Sequence, residues 1–120
     1  MVEINVFRNV QNPRSLAAGE VLFREGDDGG DLMFAVLEGE LILSLGERMV
    51  DRLGPGQIVG EMALIDRSAR SATATAGVDT KVAPVDRKAF TYLVQEHPTF
   101  ALMVMEVMAE RLRKANQSHA

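Results

Sequence analysis

The stretch Gly60-Glu61-Met62-Ala63-Leu64-Ile65-Asp66-Arg67-Ser68-Ala69-Arg70-Ser71-Ala72-Thr73 decides how the chain is read. A glycine turn opens a short helical run, and an arginine follows just before the next strand. Free main-chain N–H groups converge at such a turn, where they and the helix dipole favour an anion, and Arg70 adds a forked, charge-assisted contact to phosphate oxygens. Phosphate is the natural occupant. A carboxylate at Glu61 repels a phosphate unless it has another task, such as accepting a hydrogen bond from a sugar hydroxyl. A sugar phosphate accounts for both residues.

Outward from this stretch, short runs rich in Val, Leu, Ile and Thr are separated by Gly26, Gly29, Gly30, Gly39, Gly46, Gly54, Gly56 and Gly77. That spacing predicts a β-sandwich or β-roll, with strands at 20–24, 33–38, 40–45, 49–52, 72–76 and 80–85. The alternation Ala72-Thr73-Ala74-Thr75-Ala76 suits a half-buried strand, and its small residues also admit close approach of a ligand to the backbone. Past the strands the period becomes helical. Asp86 caps a helix over 88–96, with Phe90, Leu93 and Val94 at helical spacing, ending near His97. Pro98 suits the first turn of a second helix running to about Lys114, apolar nearly all round, which must bury more than one face or pair with a second copy of itself. At least two of Arg111, Arg113 and Lys114 are expected to complement the negative end of that helix, and 116–120 to form a frayed tail.

Length and composition set bounds. With 120 residues, 47% apolar and 25% charged, the chain is expected to form one globular domain over 1–120, with the β-roll at about 14–86 and the helices at about 87–115. There is no apolar run of membrane-spanning length and no signal-peptide order at the start, so a cytoplasmic protein without a membrane partner is expected. The absence of cysteine removes disulfides, thiolate catalysis and cysteine-ligated zinc. A net charge of −4 argues against broad nucleic-acid binding, while leaving room for one well-placed anion.

The deciding stretch resembles the phosphate-binding cassette of the cyclic-nucleotide-binding domain family, which runs Gly-Glu-(Leu or Met)-Ala-Leu, a variable segment, then Arg-(Ser, Thr or Ala)-Ala-(Thr or Ser). The family's upstream signature is matched by Phe23-Arg24-Glu25-Gly26-Asp27, by the run from Gly30 to Leu41, and by Leu53-Gly54-Pro55-Gly56. The resemblance covers about residues 13–113, and two spaced motifs in order are far more specific than either alone. It implies a mostly β fold with flanking helices: a β-roll of double-stranded β-helix or jelly-roll kind, a short N-terminal helix or turn, and two C-terminal helices. By the same resemblance Glu61 accepts the ribose 2′-hydroxyl and Arg70 pairs with the cyclic phosphate. Gly60, Met62, Ala63 and Ala72 offer backbone contacts, and Ser71 a hydroxyl or backbone donor. Arg111 and Leu112 are candidates to cover the purine. A buried Arg70 without an anion is expected to need water or salt as partner. The ligand is expected to be cAMP rather than cGMP, on family frequency and not on any residue here, with no cofactor beyond it.

No DNA-binding, kinase or channel segment is read in the sequence, so the output of a stand-alone sensor or regulatory module is expected to pass through C-terminal helix rearrangement to an unknown effector or to a homodimer built on the helix from Pro98 to Lys114. Four other readings compete. A cupin-like metal enzyme needs several converging His and carboxylate ligands, whereas His97 lies at a helix boundary and His119 in the tail, so no metal is expected. Asp27, Asp28 and Asp31 lack calcium-loop spacing and read better as a tight glycine turn. Ser68 and Ser71 have no histidine placed as a base, so no hydrolase, and no enzyme, is expected. A ligand-free scaffold or dimerisation module on the same fold is the remaining alternative, with Glu61 and Arg70 joined as an internal ion pair.

Overall fold

The computed structural model describes Phe7 and residues 12–118, with side chains as far as Lys114. Among these, eight strands form two four-stranded antiparallel sheets. The first runs β1 (Arg14–Leu16), β8 (Thr80–Asp86), β3 (Leu32–Glu38), β6 (Ile58–Val59); the second runs β2 (Val21–Phe23), β7 (Thr73–Ala76), β4 (Leu41–Leu45), β5 (Arg48–Leu53). A short helix, α1 (Glu61–Asp66), lies between β6 and β7, and α2 (Arg87–Glu96) and α3 (Phe100–Ser118) follow β8. This is the β-roll that the resemblance implied. The expected N-terminal helix or turn lies outside the described residues, apart from Phe7, which sits in a turn.

Side-chain alternation in the first sheet builds two cores at once. In β3, Phe34 and Val36 enter the space between the sheets, whereas Met33, Ala35 and Leu37 pack against the helices. Strand β8 divides likewise, Val82 inward and Ala83 and Val85 toward the helices. Both faces are dry, so these strands read as nearly unbroken apolar runs. The second sheet has one buried face. Leu41 and Leu43 of β4 are buried while Ile42 and Ser44 are only half-buried, which gives the alternating pattern of a sheet with one wet side.

Two strands, β1 and β6, are absent from the sequence reading because three and two residues are too short to show a period. Pro84 lies within β8, opposite Phe34 of β3. Pairing with β1 stops at Val82, so the other edge of β8 is open at Pro84, where a residue without an N–H is tolerated.

Asp86 caps α2 as expected, its side chain accepting from the Ala89 N–H at 2.8 Å. The second helix departs from expectation at both ends. Pro98 precedes it, in a turn closed by the Phe100 N–H on the His97 carbonyl at 2.8 Å, and α3 begins at Phe100. It then continues to Ser118, so 116–118 are helical and Arg111, Arg113 and Lys114 are not in its last turn. The dipole explanation for those cations is corrected accordingly. Phe100, Val104 and Val107 bury one stripe of α3, and the rings of Phe7 and Phe90 lie 5.6 and 5.2 Å from that of Phe100. Leu102, Met105 and Leu112 are exposed, so the helix buries one apolar face and presents the other.

Candidate ligand site

Arg70 is seated before anything else at the site. Its backbone is held on both sides by the loop after β2: the Arg70 N–H donates to the Asp27 carbonyl and the Gly26 N–H donates to the Arg70 carbonyl, each at 2.8 Å. That loop is stiffened by its acids, since Asp27 accepts from the Arg24 N–H at 2.9 Å and Asp28 from the Gly30 N–H at 2.8 Å. The tight-turn reading of these aspartates therefore holds. They are turn-forming groups.

The Arg70 side chain is 7% exposed and lies over the Phe23 ring, with its guanidinium carbon 4.3 Å from the ring centre. It donates to the carbonyls of Gly60 at 3.4 Å and Gly29 at 3.3 Å, both long for N–H···O bonds. Two carbonyls and an aromatic face thus meet part of its charge. Most of its five N–H donors nevertheless make no hydrogen bond among the described residues. Burial lowers its pKa, and the charges of Asp27, Asp28 and Glu61 oppose that shift.

Two glycines make the seat possible. A Cβ on Gly60 would lie 2.3 Å from an Arg70 nitrogen, and Gly60 has φ +82°, a conformation that favours glycine. A Cβ on Gly29 would lie 2.4 Å from that of Ala63 and 3.2 Å from Nε of Arg70.

Between α1 and Arg70 the chain reverses at Arg67, in the left-handed region at φ 59°, whose N–H bonds to the Ala63 carbonyl. The Ser68 hydroxyl and N–H both donate to Asp66, and this holds its carboxyl below the usual range. A carboxyl so shifted adds stability at neutral pH, and that contribution fades as pH falls through the lowered pKa. Arg87, at the start of α2, donates to the carbonyls of Leu64 at 2.7 Å and Ile65 at 3.2 Å, which would otherwise be left over at the end of α1.

Opposite Arg70 stands Glu61, 3% exposed. Its Oε1 accepts from Arg111 of α3, whose other terminal nitrogen donates to the Ile58 carbonyl. Its Oε2 is buried and has no hydrogen-bond partner among the described residues. The internal pair considered from sequence, Glu61 with Arg70, is not the one formed.

These groups surround a cavity of ≈ 670 Å³. Gly60, Glu61, Met62, Ala63, Arg70, Ser71 and Ala72 all line it, as do Arg111 and Leu112, so every site residue read from sequence is brought to one place. Phe23, Leu43, Val59 and Met108 complete its apolar walls. Sequence reasoning missed the roles of Phe23 and Gly29, although Phe23 stands in the quoted signature. For Met108 the helical spacing gave no sign of which side faced the roll. Tyr92 is exposed on α2. Among the described residues no three His, Asp or Glu side chains gather where a metal could be held, and no helix is long and apolar enough to cross a membrane.

A roll of two sheets whose pocket is shared by a short helix, a buried arginine and a C-terminal helix has the form of a small-ligand domain. Comparison with known proteins gives the family. Residues 13–97 match the cyclic nucleotide-binding domain, and the chain belongs to that family. The Thermus thermophilus catabolite activator protein is similar at 34% identity and TM-score 0.78, over 89% of this chain and 52% of that one. A chain from work on "a cyclic-GMP-dependent signalling pathway" that "regulates bacterial phytopathogenesis" is similar at 30% identity and TM-score 0.80, over 94% of this chain and 98% of that one. The lysophospholipase nte1 of Aspergillus fumigatus is 38% identical over 101 residues, which are 80% of this chain and 7% of the enzyme.

Proposed function

We propose that the domain binds a cyclic mononucleotide, with cAMP the first choice, and acts as a regulatory sensor without chemistry of its own. The observation that carries this reading is Arg70: a cation almost shut off from solvent, on a cavity wall, with only two long hydrogen bonds to its donors. Such a guanidinium is suited to an anion's oxygens, which form shorter, charge-assisted bonds. Under this reading Arg70 takes the cyclic phosphate and Glu61 the ribose 2′-hydroxyl. Gly60, Met62, Ala63, Ser71 and Ala72 contribute backbone or hydroxyl contacts, and Leu112 with Arg111 lies at the purine. A second reading, cGMP, is favoured by the likeness to the protein of the cyclic-GMP-dependent pathway.

In this reading, binding shifts α2 and α3 relative to the roll, and an effector protein or a second copy of the chain detects the shift. Self-association through the stretch from Pro98 to Lys114 is supported by exposed Leu102 and Met105, and sedimentation showing only monomers with and without nucleotide would remove it. A cytoplasmic setting fits a cyclic nucleotide ligand. The lysophospholipases contain the matched stretch as a small fraction of their length, so in this reading the domain takes the regulatory part of such an assembly and not the hydrolysis.

Thermal unfolding with cAMP, cGMP, a cyclic dinucleotide and 5′-AMP tests the reading. A specific ligand at about 100 times its Kd adds roughly 2.7 kcal/mol. A cyclic mononucleotide should give the largest shift, and Arg70→Ala should nearly abolish it; an equal shift in the variant would contradict the role of Arg70.

A further inference from the structure

The loop that seats Arg70 carries two exposed carboxylates, Asp27 and Asp28, each accepting a backbone N–H of its own turn, from Arg24 and Gly30. Among the described residues neither forms an ion pair with Arg70. They are nevertheless close to it. The loop grips the Arg70 backbone at Gly26 and Asp27 and its guanidinium at the Gly29 carbonyl, and the two acids lie on the chain between Gly26 and Gly29. Burial lowers the Arg70 pKa, and the charges of Asp27, Asp28 and Glu61 oppose that shift, so both loop acids act electrostatically on the guanidinium. The other cation of the cavity, Arg111, is matched by Glu61. An anion drawn to Arg70 therefore meets one unmatched cation with two carboxylates behind it.

Resting on the reading of the pocket as a cyclic-nucleotide site, we propose that Asp27 and Asp28 sort phosphates by charge, favouring the singly charged cyclic diester over a doubly charged phosphate monoester. Their potential acts in proportion to the ligand's charge, so whatever binding free energy a monoanion loses to it, a dianion loses twice. A 5′-nucleotide has the same base and sugar as its cyclic ester and carries the extra charge at the phosphate, where this field falls. Because both acids are exposed, water and salt screen them, and the effect is modest and salt-dependent.

Affinities of cAMP, 5′-AMP and the methyl ester of 5′-AMP, measured by competition at about pH 8, where a phosphate monoester carries two charges, test the proposal. The methyl ester is acyclic yet singly charged, which separates charge from ring shape. The proteins are the wild type, Asp27→Asn, Asp28→Asn and the double variant; asparagine keeps a side-chain oxygen for each turn N–H and removes the charge. In the double variant cAMP and the methyl ester should each bind about threefold tighter and 5′-AMP about tenfold tighter, narrowing the preference for cAMP over 5′-AMP about threefold. That narrowing should fade in about 0.5 M salt. Asp79→Asn, beyond the other end of β7 from Arg70, removes the same charge and keeps the bond that Asp79 accepts from the Ala18 N–H. It should leave the preference within about 1.5-fold of wild type.

Equal factors for all three ligands would overturn the proposal, and so would the same narrowing from Asp79→Asn, which would make net charge and not the loop responsible. A methyl ester that follows 5′-AMP and not cAMP would trace the discrimination to the open ring and overturn it too. Failure of 5′-AMP to compete at all with the double variant would do the same. The single variants serve if the double variant does not fold. Absence of binding by cAMP and cGMP to the wild type and every variant would sink the nucleotide reading and this inference together, whereas normal cAMP binding with an unmoved preference would sink only the inference.

Discussion

The floor and the roof of the pocket each contribute an arginine, and the two are held in opposite ways. Arg70, on the floor, is fixed by main-chain groups: its backbone is bonded to Gly26 and Asp27, and its side chain lies against two carbonyls and the Phe23 ring. Arg111, on the roof, is tied to one carbonyl and one carboxylate. The two carbonyls at Arg70 lie at 3.4 and 3.3 Å, long for such bonds, whereas Arg111 is closely bonded to both of its partners. The floor therefore leaves its arginine with donors to spare for an anion, whereas the arginine of the roof is already met within the chain.

The largest expected effect asks whether floor and roof fold as one unit. Phe100 begins the roof helix, fully buried, and shares a core with Ile58 and Leu64 of the floor. Phe100→Ala should cost about 3–5 kcal/mol. Because the shared core couples the two, unfolding followed by far-ultraviolet circular dichroism should remain a single transition at lower temperature. If helical signal disappears well before the strands melt, roof and floor are separate units and the contrast between them is one of stability, not of bonding.

Next in size is an attack on the floor alone. Gly60→Ala combines a positive φ with a Cβ aimed at an Arg70 nitrogen 2.3 Å away, so the guanidinium must leave its seat. A loss of about 1–3 kcal/mol is expected, together with at least about a hundredfold loss of cyclic-nucleotide affinity, or about 2.7 kcal/mol of binding. Gly54→Ala is the control: its Cβ meets nothing within 4 Å, and its stability should stay within about 0.5 kcal/mol of wild type. Unaltered binding by Gly60→Ala, measured by calorimetry, would mean that the seat of Arg70 does not matter to the ligand.

The same contrast explains what the sequence made legible. The floor's glycine, acid and arginine lie within one short stretch, where their close spacing already suggests a sugar phosphate, whereas the seat that Phe23, Gly26, Asp27 and Gly29 make for Arg70 lies outside it. The roof depends on a contact between residues 50 positions apart. Helical spacing announced α3 but not which face meets the roll, so Arg111 could be placed near the ligand but not joined to Glu61. The same ignorance of distance led to the dipole explanation of the terminal cations, which assumed an end to the helix where four further residues in fact continue it, from 115 to 118. Short strands such as β6 were lost because two residues hold no period, although Ile58 and Val59 point into different cores.

The smallest effect bears on how firmly the roof is fastened beyond Arg111. Lys114 Nζ lies 3.5 Å from Asp51 Oδ2 of β5, with side chains 62% and 25% exposed. Ion pairs of that kind contribute little, because water and salt screen them and two long side chains must be ordered. Asp51→Asn also preserves the bond that Asp51 Oδ1 accepts from the Arg52 N–H, so the substitution isolates the charge. It should cost about 0.5 kcal/mol or less at low ionic strength, and nothing measurable in about 0.5 M salt, where the screening length is only a few ångströms. Denaturant unfolding at the two ionic strengths measures both. A loss above about 1.5 kcal/mol that survives high salt would show α3 clamped to the second sheet, making the roof as firmly held as the floor.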